Sequence, residues 1–267
     1  MQPTPYPDLN DVLREFCTQL SVILGNDIVG VYLHGSLAIG DFSESDSDAD
    51  FLVVIERELT TAQVAKLKEM HASILALPSR FAKLLEGSYL PKNLLNKPEN
   101  VGVIPLWYLD HGTGMVSQAV YDNSWAVLWV LHHYGIAVLG PPPKSLFGPV
   151  AEMSLRQEAL AFMKSWKNLL LGKPESINSV WNQSFIVLSY CRMLQTLETG
   201  TVHSKLASVR WSETAMGDRW HSLVSRAWLG RQNPNQMGRR PPAISEVNET
   251  LAFIEYVVGV RAAGFNQ

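Results

Sequence analysis

The stretch His34-Gly35-Ser36-Leu37-Ala38-Ile39-Gly40, followed by Ser45-Asp46-Ser47-Asp48-Ala49-Asp50, carries the residue types that hold phosphate and metal. Gly35 allows a backbone to approach a ligand closely, and successive N–H groups plus the Ser36 hydroxyl can hold phosphate oxygens. Asp48 and Asp50 are two residues apart at the start of an apolar run, Phe51 to Ile55. Residues two apart on a strand point to one face, so the two carboxylates converge beside the cradle. Hard divalent cations take such oxygen ligands, and Mg²⁺ is commonly held by one or two carboxylates plus substrate phosphates. Two metal ions about 4 Å apart neutralise both the attacking and the leaving oxygens of a displacement. A third acid, Glu86, stands isolated among apolar neighbours in Leu84 to Tyr89.

Other readings compete for these residues. Acidic, serine-rich residues between strands also describe a solvated turn. Asp46, Asp48 and Asp50 alternate as in an EF-hand, but that loop needs glycine at its sixth position and a carboxylate at its twelfth. Phe51 and Arg57 stand there, which excludes it. No Gly-Lys-Ser/Thr follows a strand, so a Walker-type loop is absent, and Gly35 with Gly40 makes no dinucleotide fingerprint. His34 adjoins the cradle and is a candidate to line it. His132-His133 has no metal-ligand spacing beside other ligands.

The elements that must position these side chains follow from periodicity. Leu9, Val12, Leu13, Phe16, Leu20, Ile23 and Leu24 predict a helix stopped at Gly25. Asp27 to Leu33 and Asp50 to Ile55 predict buried strands, so the chemistry sits on a strand–turn–strand segment. Thr60 to Leu77 predicts an amphipathic helix with Val64, Leu67, Ile74 and Leu75 on one side, ended by Pro78. Phe81 to Tyr89 predicts a third strand and Ile104 to Leu109 an edge strand. From Ser124 helical patterns dominate: Trp125 to Tyr134, Leu155 to Leu171, Asn178 to Thr199, Ser204 to Trp211 and Val247 to Gly264. Gly140-Pro141-Pro142-Pro143 cannot sit inside a helix or central strand and marks the connection between an α/β half and a helical half. Gln232 to Pro242 predicts a loop.

With 267 residues there is room for one large domain or two of moderate size. A net charge of −3 gives no reason to expect a nucleic-acid partner. Cys17 and Cys191 lie in apolar helical patterns and read as buried packing residues. The first ten residues lack the pattern of a signal peptide and no apolar run reaches membrane-spanning length, so the expected location is cytoplasmic with no membrane partner.

Gly-Ser, a short gap, then Ser-Asp-x-Asp entering an apolar strand resembles the DNA polymerase β-type nucleotidyltransferase superfamily. Within it the chain is similar to the bacterial aminoglycoside 3″/9 adenylyltransferases, along most of its length with gaps. Leu85-Glu86-Gly87-Ser88-Tyr89 falls where that family places its third acid, and Cys191-Arg192, Leu197-Glu198-Thr199-Gly200 and Ser204-Lys205 through Trp211 resemble its helical domain. The resemblance implies an α+β protein: a nucleotidyltransferase α/β domain with a small mixed sheet at residues 1–150, then an all-helical substrate- and nucleotide-closing domain at residues 151–267, with the substrates between them. It implies Asp48 and Asp50 as catalytic metal ligands for two Mg²⁺ and Glu86 as the catalytic base, or alternatively a third metal ligand. It further implies Gly35, Ser36 and Ser47 as the phosphate cradle and Arg192 and Lys205 as cationic contacts to ATP. Trp107 and Trp228 fall near positions that pack against substrate, although core packing is the commoner duty of such residues. The expected reaction is Mg²⁺-dependent transfer of AMP from ATP to a hydroxyl of an aminoglycoside of the streptomycin or spectinomycin type, releasing pyrophosphate. The partners implied are ATP and a small hydroxylated, cationic acceptor, handled by a monomer. Asn182 and Phe185 stand where the family has an acid and a histidine, which leaves open the same chemistry on another small molecule or a protein. A nucleotide-binding relative that no longer transfers is the remaining alternative.

Overall fold

The computed structural model describes residues 2–45, 47–95, 97–111, 113–232, 241–261 and 264. Asp46 and residues 233–240 of the expected Gln232–Pro242 loop lie outside these residues. The chain divides into two compact units, Met1–Val150 and Ala151–Gln267.

The first unit is built on a six-stranded mixed sheet. Helix α1 (Pro7–Leu24) starts on a proline, whose missing N–H is no loss in a first turn, and stops at Gly25, where φ is 52°. Strand β1 (Ile28–Leu33) leads into the one-turn helix α2 (Gly35–Ile39), so the expected turn contains a short helix. Strand β2 (Ala49–Ile55) is followed by helix α3 (Thr61–Leu75), which opens on a capping box between Thr60 and Gln63. Strands β3 (Leu85–Pro91), β4 (Leu106–Asp110) and β5 (Met115–Ala119), helix α4 (Trp125–Tyr134), strand β6 (Ile136–Leu139) and the short helix α5 (Pro143–Leu146) complete the unit. The strand order is β5-β4-β3-β2-β1-β6. Only the β2–β3 pair is parallel; the other four pairs are antiparallel.

Both sheet faces are covered. Val31, Leu33, Phe51, Val53, Leu85 and Tyr89 pack with α1 and α3, while Tyr32, Leu52, Val54, Leu90 and Leu106 pack with Leu131 and Phe147. This is why Phe51 to Ile55 is continuously apolar rather than alternating. Each fully buried Leu or Phe side chain contributes roughly 1.5–3 kcal/mol relative to exposure.

The second unit is helical: α6 (Glu152–Gly172), α7 (Val180–Thr199), α8 (Lys205–Ala215), α9 (His221–Gln232) and the helix Ile244–Tyr256, which runs into a π-helical turn. α7 packs against α6, α8 and α9 and buries Ile186, Val187, Tyr190, Cys191 and Leu194. No helix among the described residues is long and apolar enough to cross a membrane.

Several elements differ from the sequence expectation, each for a local reason. Phe81 and Ala82 lie in a 3₁₀ turn, Phe81–Lys83, where they pack inward near Tyr6 and Phe42, and β3 begins only at Leu85. β4 is an inner strand, because β5 takes the edge; Met115 and Ser117 are exposed there and Val116 is buried, too weak an alternation to announce a strand. β6 and α9 carry no strong periodic signal; β6 has only four residues. Leu75 is exposed, and Met70 and His71 take the buried positions beside Leu67 and Ile74. Pro143 begins α5 rather than breaking structure, since a first-turn residue needs no N–H donor.

His71 yields a test of this core. Its ring lies near Phe16, Phe51 and Tyr89, its Nε2 shares a 2.7 Å hydrogen bond with the Tyr89 hydroxyl, and it is 3% exposed. Burial pushes its pKa down from 6.5 to about 3, so the fold requires the neutral ring. The unfolded chain takes up a proton below about pH 6.5 that the native state refuses until about pH 3, so this contribution is complete above pH 6.5 and is lost as pH falls through that window. Between pH 7 and pH 5 the wild type is expected to lose about 2 kcal/mol through this group. Urea titrations should show wild type and the double variant His71→Leu/Tyr89→Phe diverging by that amount between pH 7 and pH 5, while groups such as Asp50 act alike in both.

Candidate active site

The first half of the site is a backbone device at the end of β1. The His34 N–H donates to the Asp50 carbonyl at 3.0 Å, stitching the strand end to β2. Gly35 follows at φ 60°, and a β-carbon there would overlap the Asp50 carboxylate, so glycine is required twice over. The Ser36 carbonyl accepts from the N–H groups of Gly40 and Asp41 at 3.1 and 3.0 Å, with Gly40 left-handed at φ 85°. Ser47 closes the next loop: its N–H donates to the Ser43 carbonyl at 2.9 Å, and its Oγ accepts from the Ser43 N–H at 3.0 Å.

The second half is acidic. Asp50 on β2 stands directly opposite Glu86 on β3 in the parallel pair, and Asp48 lies two residues before Asp50. Tyr108 on β4 donates its hydroxyl to Glu86 Oε1, and His111, just past the end of β4, donates Nδ1–H to Glu86 Oε2. The other ring nitrogen of His111 is 3.6 Å from Asp48 Oδ1. Ligand atoms of Asp48, Glu86 and His111 all lie within 4.8 Å of one another. These three side chains keep 34%, 22% and 30% of their surface exposed, so a small molecule can reach them.

Electrostatics marks the same spot. Desolvation raises the Asp50 carboxyl to about 6; His34 opposes this, while Asp122, Glu86 and Asp48 add to it. Asp122, buried behind the site, is likewise raised by desolvation and accepts the Ser88 hydroxyl at 2.6 Å. The His111 imidazole is pushed up to about 9, first by its bond to Glu86, against desolvation, with Asp48 helping. The Tyr108 hydroxyl is raised by burial and then by Glu86. Carboxylates that disfavour one another's charge at an accessible point fit a divalent cation, which would supply the missing positive charge.

The structure therefore brings Asp48, Asp50, Glu86, Gly35 and Ser36 together in the first unit. Ser47 is buried directly before Asp48 in the same loop, with its Oγ already accepting a backbone bond. Arg192 and Lys205 lie in the second unit. Arg192 Nε donates to the His203 carbonyl at 3.1 Å. Lys205 opens α8 after Ser204, whose Oγ caps the Ala207 N–H at 3.1 Å. Trp107 pairs with Tyr89 on the sheet face opposite Glu86 and carries Lys68 over its ring at 5.8 Å, and Trp228 packs into the helical core, so both are packing residues. His34 is buried beside Asp50, whereas His132 holds the Phe147 carbonyl at 2.7 Å. Sequence reasoning missed Tyr108, His111 and Asp122. Pairing β4 against β3 puts Tyr108 opposite Ser88, on the Glu86 face, a signal available only once β4 is known to be an inner strand.

Comparison with known proteins places the chain by family and fold. Residues 9–102 match the nucleotidyltransferase domain family, and residues 145–254 match the C-terminal domain of aminoglycoside adenylyltransferases. The spectinomycin 9-adenylyltransferases of Staphylococcus aureus strains Mu50 and N315 are each 26% identical over 205 residues, 71% of this chain and 72% of theirs. The crystal structure of spectinomycin adenyltransferase AAD(9) from Enterococcus faecialis with ATP and spectinomycin shares the fold, with TM-score 0.70 at 16% identity over 93% of this chain and 98% of that one. With a nucleotidyltransferase domain and an aminoglycoside adenylyltransferase C-terminal domain following one another along its length, the chain belongs to the aminoglycoside adenylyltransferase-like nucleotidyltransferases.

Proposed function

We propose that this adenylyltransferase moves AMP from ATP to a hydroxyl of an aminoglycoside antibiotic of the spectinomycin or streptomycin type, with two Mg²⁺ ions and release of pyrophosphate. The observation that carries the reading is the meeting of Asp48, Asp50 and Glu86 beside the Gly35–Ser36 bend. The acceptor follows from what the similar Staphylococcus proteins are named for.

In this mechanism Gly35, Ser36 and Ser47 hold phosphate oxygens, and Asp48 and Asp50 hold the metal. Bound there, Mg²⁺ supplies counter-charge to the triphosphate. Glu86 takes the proton from the acceptor hydroxyl. The acceptor oxygen bonds to the α-phosphorus, the bond from that phosphorus to the bridging oxygen breaks, and pyrophosphate leaves. Residues 1–150 are the catalytic domain in this reading and residues 151–267 the substrate- and nucleotide-closing domain. Arg192 and Lys205 keep their assignment as cationic ligands of the triphosphate, where fixed positive charge stabilises the transition state.

A second acceptor class is favoured by one feature of the helical unit. Asn182 is tied to the Ser176 carbonyl and Asn178, and Phe185 stacks on Trp181 with ring centroids 5.6 Å apart and planes 3° from parallel. Both rings are exposed. An amide where the family has an acid, beside an aromatic face where it has a histidine, suits a less cationic small molecule.

Incubation of the enzyme with ATP, Mg²⁺ and either spectinomycin or streptomycin should give a product heavier by one adenylyl group in the mass spectrum. No added mass on these or on a wider aminoglycoside panel, with labelled ATP instead marking a molecule in cell lysate, would move the assignment to the second acceptor class.

Residue roles are tested separately. Asp48→Asn should abolish Mg²⁺-dependent turnover. Glu86→Gln should bind ATP as the wild type does while turnover falls about 10²–10⁴-fold, the usual contribution of a positioned base. Equal loss of ATP affinity in both variants, measured by calorimetry, would make Glu86 a third metal ligand instead.

A further inference from the structure

Both oxygens of Glu86 are engaged, Oε1 by the Tyr108 hydroxyl and Oε2 by His111. The two donors come from one short segment, the end of β4 and the residue just beyond it. β4 is locked against β3 by the pairs Gly87–Leu109, Ser88–Tyr108 and Tyr89–Trp107, so Tyr108 has little freedom. The Asp110 carboxylate accepts the Thr113 N–H at 3.2 Å and the Asp110 carbonyl accepts the Gly114 N–H at 2.7 Å, which fixes the turn that carries His111. The far nitrogen of the same imidazole lies 3.6 Å from Asp48.

We propose that His111 is a positioning residue: with Tyr108 it clamps the Glu86 carboxylate and sets its place relative to Asp48. The clamp rests on the reading of Glu86 as the base. A carboxylate free to rotate about its last two torsions points a lone pair at the acceptor hydroxyl only part of the time. Two donors on fixed elements leave one orientation, and each carboxylate oxygen keeps a lone pair for the acceptor proton. This is the logic by which a third group orients the base of a nucleophile–base pair. The imidazole lies between Glu86 and Asp48, bonded to the first through Nδ1 and 3.6 Å from the second through its other nitrogen, so it bears on the spacing of base and metal ligand.

Orienting partners of this kind are worth about 10–100-fold in activity. In His111→Ala, kcat with spectinomycin should fall by about that factor while KM for ATP stays constant. Mn²⁺ affinity, read by electron paramagnetic resonance without acceptor, should also stay constant. His111→Asn puts an amide donor near the lost Nδ1 and should recover part of the loss, and added imidazole should do the same for His111→Ala. In a Glu86→Gln background, His111→Ala should cost nothing further, because the two act as a unit. An undiminished kcat in His111→Ala, a tenfold drop in Mn²⁺ affinity, or full additivity with Glu86→Gln would each overturn the clamp; the Mn²⁺ result would make His111 a metal ligand. Full turnover in Glu86→Gln would instead sink the reading of Glu86 as base. A readout that needs no acceptor is the ¹⁵N spectrum of the His111 ring, whose Nδ1 resonance should shift on Glu86→Gln; an unchanged resonance refutes the contact itself.

Discussion

The parallel pairing of β2 with β3 is the constraint on which the site depends. It sets Asp50 across from Glu86, and it cannot slip. Phe51, Val53 and Ile55 fill one core and Leu52 and Val54 the other, so a one-residue shift would drive each set into the wrong layer. The same shift would turn Asp50 toward the aromatic cluster around Phe16 and His71. The acids thus take their positions from apolar packing that has no part in the chemistry. Gly35 completes the arrangement from the start of α2, just past the end of β1, since only a residue without a side chain leaves space for the Asp50 carboxylate.

This placement concentrates like charge. Asp48, Asp50, Glu86 and Asp122 act on one another, with Asp50 held near 6 chiefly by its own desolvation. Folding pushes these groups together against their repulsion, and His34 and His111 offset part of it. On the proposed reading a divalent ion would relieve the remainder, so affinity for the metal would be built from work already done by the core. Exposure of Asp48, Glu86 and His111 keeps that relief available to a substrate-borne ion, whereas Asp122 is buried and serves only as background field.

How far the sequence discloses this depends on the range of the interaction. α1, β1, β2, α3 and α7 were legible because their patterns are local and strong: period 3.6 in α1, an unbroken apolar run in β2, a caps-and-leucine pattern in α7. Asp48 and Asp50 were legible for the same reason, being two apart where the chain enters β2. The edge strand β5, the four-residue β6 and helix α9 were not, since their stability comes from neighbours rather than from their own pattern. His111 and Tyr108 lie 25 and 22 residues from Glu86 and meet it through a turn and a strand pairing that no local rule announces. Asp122 looks like a turn residue ahead of the Ser124 helix cap, and only the fold shows Ser88 bonded to it.

Reaction type and acceptor choice are written in different parts of such a chain. The first follows from backbone register and a few acids, which tolerate little change. The second follows from side chains that can be exchanged without touching the core. On the proposed reading, Asn182 in place of an acid, with Phe185 in place of a histidine and stacked on Trp181, alters the basis of discrimination. A charge-assisted hydrogen bond contributes roughly 1.5–3 kcal/mol and demands a cation in one place. Aromatic packing contributes about 0.5–1.5 kcal/mol beyond the area it covers and accepts any flat apolar surface. Two exposed rings stacked with their planes 3° from parallel therefore trade selectivity by charge for selectivity by shape, while the acids assigned to the transfer stay as they are.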